Sequence, residues 1–528
     1  MSAHSPAASP RKAVISRRGL LAAGTGAGGM LFLASAGRRS VLGADATPQA
    51  GHESHAEADG AAGLFQPSAW ESVDLAEPEV RHSVDGELAT TLRVAYAHAD
   101  TGGYRLSLRT YEGAIPGPTL RVQPGDVLRV TLINDLPPNR AEMPLNTDLP
   151  HHFNTTNVHV HGLHVSPSGN ADNVFRSMEP GQSYEIEIAV PADHPRGTYW
   201  YHPHHHGSAD VQISSGMAGA LIVEGDFAGV AEIENAVERV LVVNEVMFDY
   251  LGAIEVYDTI WPEAAPRFIS INGQREPVIR LRPGEVQRWR IIQAAHESNL
   301  RLALDDHLLH PIAYDGIPRS RIEGLESLIV APGQRADVLV QAGAAGAYKL
   351  QAIANDQGYP SPTGPLAHVV VEGEPLTMSL PATLPESPLA PIGDDEITGA
   401  RTITFTAIEP EVPAAATYQE FAFLIDGRRF DPDRVDHSIR LGAVEEWTVV
   451  NDHHDDHVFH IHTNPFQVMA INGEPVSEPL WRDTVIVPRD GSLTFRSRFL
   501  DFTGKTVLHC HMMNHEELGM MQLIEFTE

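Results

Sequence analysis

From about Arg81 onward the chain alternates apolar and polar residues in short runs, such as Leu128-Arg-Val-Thr-Leu-Ile and Tyr184-Glu-Ile-Glu-Ile-Ala-Val, cut by Gly, Pro and Asn. Alternation with a period of two sends one set of side chains to a core and the other toward solvent, which predicts strands joined by turns. Helical periods are scarce, so the pattern predicts an antiparallel, all-β protein. One piece of the pattern then returns. Leu120-Arg-Val-Gln-Pro-Gly-Asp-Val-Leu-Arg-Val reappears as Ile279-Arg-Leu-Arg-Pro-Gly-Glu-Val-Gln-Arg-Trp and, more loosely, as Ile439-Arg-Leu-Gly-Ala-Val-Glu-Glu-Trp. Gly125, Gly284 and Gly442 then stand about 160 residues apart, a period that predicts three copies of a sandwich-sized β unit. They are expected near residues 80–225, 235–374 and 400–528. Five prolines between Pro375 and Pro391 predict a semi-rigid linker within 375–399.

The first residues break this pattern. Ser16-Arg17-Arg18-Gly19-Leu20-Leu21 is a twin-arginine pattern, followed by a weakly apolar Gly/Ala-rich run and a small-residue Ala34-Ser35-Ala36 suited to cleavage. Residues 1–44 are therefore expected to be a signal peptide read by the twin-arginine export machinery. Residues 45–79, with His52 and His55 read as solvated, are expected to form a flexible lead-in. No later segment has the uninterrupted apolar run of roughly 18 residues that a spanning helix needs. The expectation is an exported protein, periplasmic, cell-surface or extracellular, with no membrane association once the signal is removed.

Composition sharpens this picture. A length of 528 residues exceeds what one core supports and fits about three domains. The formal charge of −32 argues against nucleic acid and anionic membranes as partners and favours cations. One cysteine cannot form an internal disulfide, so the fold must rest on core packing.

That cysteine sits in His509-Cys510-His511-Met-Met-Asn-His515-Glu516-Glu-Leu-Gly-Met520. A thiolate and two imidazoles with a weak thioether above them suit an electron-transfer copper. Cys510, His515 and Met520 supply three of those four ligands, and a second histidine must come from elsewhere. Along a strand His509 and His511 share one face while Cys510 points to the other. Two metal sites can thus sit back to back.

In His457-Val-Phe-His460-Ile-His462, parity puts His460 and His462 on one face and His457 on the other, which makes His457 the missing ligand. Eight histidines remain as four His-x-His pairs: His159 and His161, His202 and His204, His460 and His462, His509 and His511. Eight neutral imidazoles suit three copper ions held between the first and third units. A lone His-x-His pair is weak evidence among 28 histidines. Zinc, the competing metal, needs only three or four ligands and no matched array.

On these motifs the chain, from about residue 110 to 528, resembles the three-domain multicopper oxidases of the bacterial laccase type. The resemblance implies three cupredoxin-like Greek-key β-sandwich domains and four copper ions. His457, Cys510 and His515, with axial Met520, would hold a type 1 copper; His159 and His460 a type 2 copper; His161, His202, His204, His462, His509 and His511 a type 3 pair. It implies one-electron oxidation of a small reductant at the first copper and four-electron reduction of dioxygen to water at the other three. Val458 departs from the proline usual between the first two ligands, which bears on loop stiffness. Met520, in place of an apolar residue, implies a moderate reduction potential.

Dioxygen reduction also consumes protons, so carboxylates are expected nearby. Glu516 matches the acid near the oxygen exit path of similar enzymes, and Asp172, in the loop after the first histidine pair, is a second candidate. Asp483 is expected either to orient a ligand histidine or to form a structural pair with Arg482.

The reductant is less determined. The 12 methionines form no cluster like the methionine-rich insertion of cuprous-oxidising relatives, which favours phenols and aromatic amines over a cuprous or ferrous ion. Asn451-Asp-His-His-Asp-Asp, just before His457, reads either as a solvated turn or as a rim that favours cationic reductants. Two other classes compete: a non-catalytic copper-binding protein of the same fold, and a two-domain copper nitrite reductase. The full ligand set argues against the first, and three repeats against the second.

Overall fold

The computed structural model describes residues 71–140, 148–261, 267–411 and 416–528. The expected signal peptide and most of the lead-in lie outside these residues. Six sheets fall into three facing pairs. In the first pair, the sheet carrying Glu87–Thr101 and Val127–Asn134 faces the one carrying Thr119–Val122, Gly197–His202 and the edge strand His159–His161. The other two pairs repeat this plan, so the chain is a β protein of cupredoxin-like sandwiches.

The repeated sequence motif occupies one structural position. Each copy runs along a strand of one sheet, turns at glycine and enters the facing sheet: Thr119–Val122 to Val127–Asn134, Val278–Leu281 to Val286–Ala294, and Val435–Arg440 to Ala443–Asn451. Gly125, Gly284 and Gly442 all have φ between 77° and 93°, the left-handed region that only glycine enters freely.

The strands before and after each turn pair in parallel with other strands, Leu120 beside Leu221 and Leu128 beside Leu88 in the first copy. The sheets are thus mixed, where the alternation predicted antiparallel pairing throughout. Alternation reports which face a side chain takes, and a strand that arrives by crossing from the other sheet can run either way beside its neighbour.

The first and second sandwiches have separate cores, around Leu128 and Trp289 respectively. The core of the third, around Trp447 and Phe495, continues through Phe248 and Tyr257 of the second to Leu106 and Leu108 of the first. Buried apolar contact thereby fixes the units against one another. The described end of the lead-in is also held: Leu75 N–H donates to Val278 O at 2.8 Å and its side chain packs on the second core. In the proline-rich connection Leu376 N–H donates to Pro283 O at 2.8 Å, and Met378 packs beside Val286.

Candidate metal centre

Pairing of short strands aligns the histidines. In the first sandwich His159 lies opposite His202. In the third, His457–Ile461 pairs with Gly504–Cys510 so that His460 lies opposite His509, and Phe459 opposite Cys510. Side chains alternate, so His460 and His509 point together to the first sandwich while Cys510 and His457 point into the third.

On that inner face Cys510 Sγ lies 3.6 Å from His457 Nδ1 and 3.7 Å from His515 Nδ1, and the two nitrogens are 3.0 Å apart. Ligand atoms bound roughly 2 Å from a common ion stand about 3–4 Å from each other, which is this spacing. Met520 is buried beside them: its N–H donates to His515 O, and its carbonyl accepts Cys510 N–H. Phe423 stacks on His515 with ring centroids 3.9 Å apart. Burial pushes the Cys510 thiol up to about 12, so a bound cation must drive its ionisation.

The opposite face holds the eight other histidines, all buried. His204, His462 and His509 converge through Nε2, His509 lying 3.2 Å from each of the others. His161, His202 and His511 form a second group, with His161 Nδ1 and His511 Nε2 at 3.2 Å. His159 and His460 complete the set, their rings stacked on His462 and His161 at 3.9 Å. The Nε2 atoms of His159, His202 and His460 are buried without a hydrogen-bond partner. Burial, then repulsion between neighbouring imidazoles, lowers His202 to about 3. Neutral imidazoles with converging, unsatisfied nitrogens fit a set of metal ligands.

The far side of several rings is held, while Nδ1 of His462 and of His511 is buried without a partner. His159 Nδ1 lies 3.0 Å from both oxygens of Asp172, which also accepts Val160 N–H. Burial lifts the Asp172 carboxyl to about 8. His202 Nδ1 and His460 Nδ1 donate to the carbonyls of Pro203 and Asp483. His161 Nε2 lies 3.2 Å from Asp483 Oδ1 and 3.1 Å from Thr484 Oγ1.

Glu516 Oε2 lies 3.0 Å from His509 Nδ1, and Oε1 lies 3.7 Å from His204 Nδ1. Burial raises that carboxyl, but the imidazoles of His509 and His204 prevail and bring it down to about 2. Every candidate site residue read from the sequence therefore falls in or beside one of two groups, joined by the tripeptide His509-Cys510-His511.

Asp483 corrects one expectation and exposes an omission. Its ion-pair partner is Arg335 of the second sandwich, bidentate at 2.7 and 2.5 Å, whereas Arg482 lies over the Tyr314 ring. Arg335 is fully buried. A Cβ at Gly162 would stand 2.3 Å from its Nη2, so this approach requires glycine. Gly333 is equally constrained, with a Cβ position 2.8 Å from His511 Cδ2. A buried arginine 148 residues from its carboxylate leaves no local sequence signal.

Fold and site together define a metalloprotein of β-sandwiches in which one cysteine joins a Cys/His site to a histidine cluster. Family models described as multicopper oxidase match residues 149–227, 252–375 and 405–526. A laccase of Bacillus stratosphericus is 26% identical over 475 residues, spanning 80% of this chain and 91% of its own. The multicopper oxidase MmcO of Mycobacterium tuberculosis is 25% identical over 511 residues, spanning 89% and 92%. Among solved structures, a Campylobacter jejuni multicopper oxidase described as a metallo-oxidase superposes with a TM-score of 0.71 at 25% identity, covering 88% of this chain and all of that one. The chain belongs to the multicopper oxidase family. It is a copper-dependent oxidoreductase that uses oxygen. No helix among the described residues is long and apolar enough to cross a membrane.

Proposed function

We propose that the chain holds four copper ions and oxidises phenols and aromatic amines in the manner of a laccase. His457, Cys510 and His515, with Met520, would hold one copper; His161, His202 and His511, with His204, His462 and His509, a pair; His159 and His460 the fourth. Bound copper would supply one-electron acceptance at the cysteine site and reduction of dioxygen to water at the histidine cluster. The observation that carries this reading is the tripeptide His509-Cys510-His511, whose three side chains reach both groups.

The protein's own part is to hold these rings and exclude water. Asp172 fixes the ring of His159, which supports a positioning role for it beside the proton relay expected from the sequence. Glu516, buried between His204 and His509, has a position that supports the proton-relay role expected for it. A cleft lined by His204, His205, Phe430, Val507 and Met521 reaches the cluster at His204 and supports an access path for dioxygen and water. The twin-arginine pattern at Ser16–Leu21 supports export by that route.

Copper-loaded protein should contain four coppers per chain, show strong blue thiolate-to-copper absorption and take up dioxygen when given a phenol. Cys510→Ser should abolish the blue absorption and the uptake. Far fewer than four coppers, or no uptake by the loaded protein, would overturn the reading. Oxidation of a metal ion is the second reading, favoured by the group Glu409, His453, His454 and Asp455 near His457.

A further inference from the structure

We propose that Glu409, His453, His454 and Asp455 form an additional metal-ion site, for a divalent first-row cation, at which ferrous ion delivers its electron to the cysteine site. The delivery rests on Cys510 being a copper ligand; the binding does not.

The four side chains offer ligand atoms that all lie within 4.8 Å of one another. Glu409 Oε1 is 3.8 Å from His453 Nε2, Glu409 Oε2 is 3.6 Å from His454 Nε2, and Asp455 Oδ1 is 3.8 Å from His454 Nε2. These separations are too long for hydrogen bonds and match atoms grouped around an ion roughly 2 Å from each. His453 is decisive: its side chain is 5% exposed, yet neither ring nitrogen has a hydrogen-bond partner. A buried imidazole left so costs free energy that a bound cation would recover. His454, 34% exposed, leaves a way in from solvent.

Main-chain contacts fix the segment. Asp490 N–H donates to His453 O, Asn451 Nδ2 donates to Asp455 O at 2.9 Å, and Asp456 N–H donates to Gln357 O at 2.7 Å. Gly358 of the second sandwich, at φ 103°, presses so closely that a Cβ there would meet Asp455 Oδ1 at 2.1 Å.

Two imidazoles and two carboxylates, without sulfur, select ferrous, cobaltous, manganous or zinc ion over cuprous ion, which takes thiolate and thioether donors. Of these, ferrous ion is the one that readily gives up one electron. The place suits that role, because the His453 ring lies 5.2 Å from the ring of His457. Phe423 also bridges, its ring 6.2 Å from His453 and stacked on His515. Four ferrous ions would become four ferric ions while one dioxygen takes the four electrons and four protons to give two waters.

The test uses copper-loaded protein. Cobaltous ion, which dioxygen does not readily oxidise in such a site, should bind at one ion per chain beyond the coppers. Glu409→Gln and His454→Gln should each weaken that binding at least tenfold. In both variants KM for ferrous ion should rise at least tenfold, while kcat/KM for a phenol stays within twofold and the blue absorption is unchanged. No cobalt beyond the coppers, or variants that bind it like the parent, overturns the site. An unchanged ferrous KM in variants that have lost cobalt overturns the electron delivery. If the loaded parent lacks blue absorption and phenol turnover, the oxidase reading fails, and the cobalt titration alone decides the site.

Discussion

At the scale of single residues, several of the rings are oriented by a group that holds the nitrogen facing away from the cluster. Asp172 accepts from His159 and from the Val160 N–H at once, so it sets both a tautomer and an orientation. Asp172→Asn should keep the blue absorption of the distant cysteine site while lowering copper occupancy or dioxygen uptake about 10–100-fold, as loss of such supports does. Copper analysis and oxygen consumption on one preparation check this. Arg335 makes the harder case. Arg335→Met would leave Asp483 buried without its cation, a loss costing about 3–5 kcal/mol. Denaturant unfolding of the copper-loaded protein should show it.

At the scale of strands and turns, parity made the two groups of side chains legible. Odd spacing separated His457 from His460 and His462, and the neighbours His509, Cys510 and His511 had to alternate between two faces. Those inferences needed only the pleat of one strand. What the strands pair with was not legible to the same degree. Parallel pairs such as Leu128 with Leu88 come from crossovers between sheets, and Asp483 takes Arg335 in preference to its neighbour Arg482 because the second sandwich brings a guanidinium against it. The turn at Gly333 leads to an element-scale prediction. A methyl group in Gly333→Ala would press on the His511 ring, and the backbone there has φ 85°. Dioxygen reduction should slow while the blue absorption of the cysteine site persists, a separation that stopped-flow spectroscopy can read.

At the scale of the molecule, the second sandwich joins the other two. Its His296 meets Asp210 of the first sandwich at 2.5 Å, and its backbone carbonyl accepts Met513 N–H of the third. Burial acts to lower the His296 imidazole, but Asp210 and then Glu297 outweigh it and raise it to about 9 from an ordinary 6.5. The folded protein thus binds this proton more tightly than the unfolded chain does. Its stabilising contribution is complete below about pH 6.5 and fades as pH rises toward 9. The parent's stability advantage over His296→Gln should therefore be largest near pH 6 and shrink toward pH 9, as urea unfolding at the two values would show.

The strand Gly504–Cys510 and the loop after it follow every other proposed ligand in the chain. A ribosome releases His159 and His202 hundreds of residues before His509. Until then no nascent intermediate can complete either of the two proposed ligand sets. Acquisition of the metal is thereby tied to late synthesis, and a polypeptide broken off early would be left colourless and inert instead of half active.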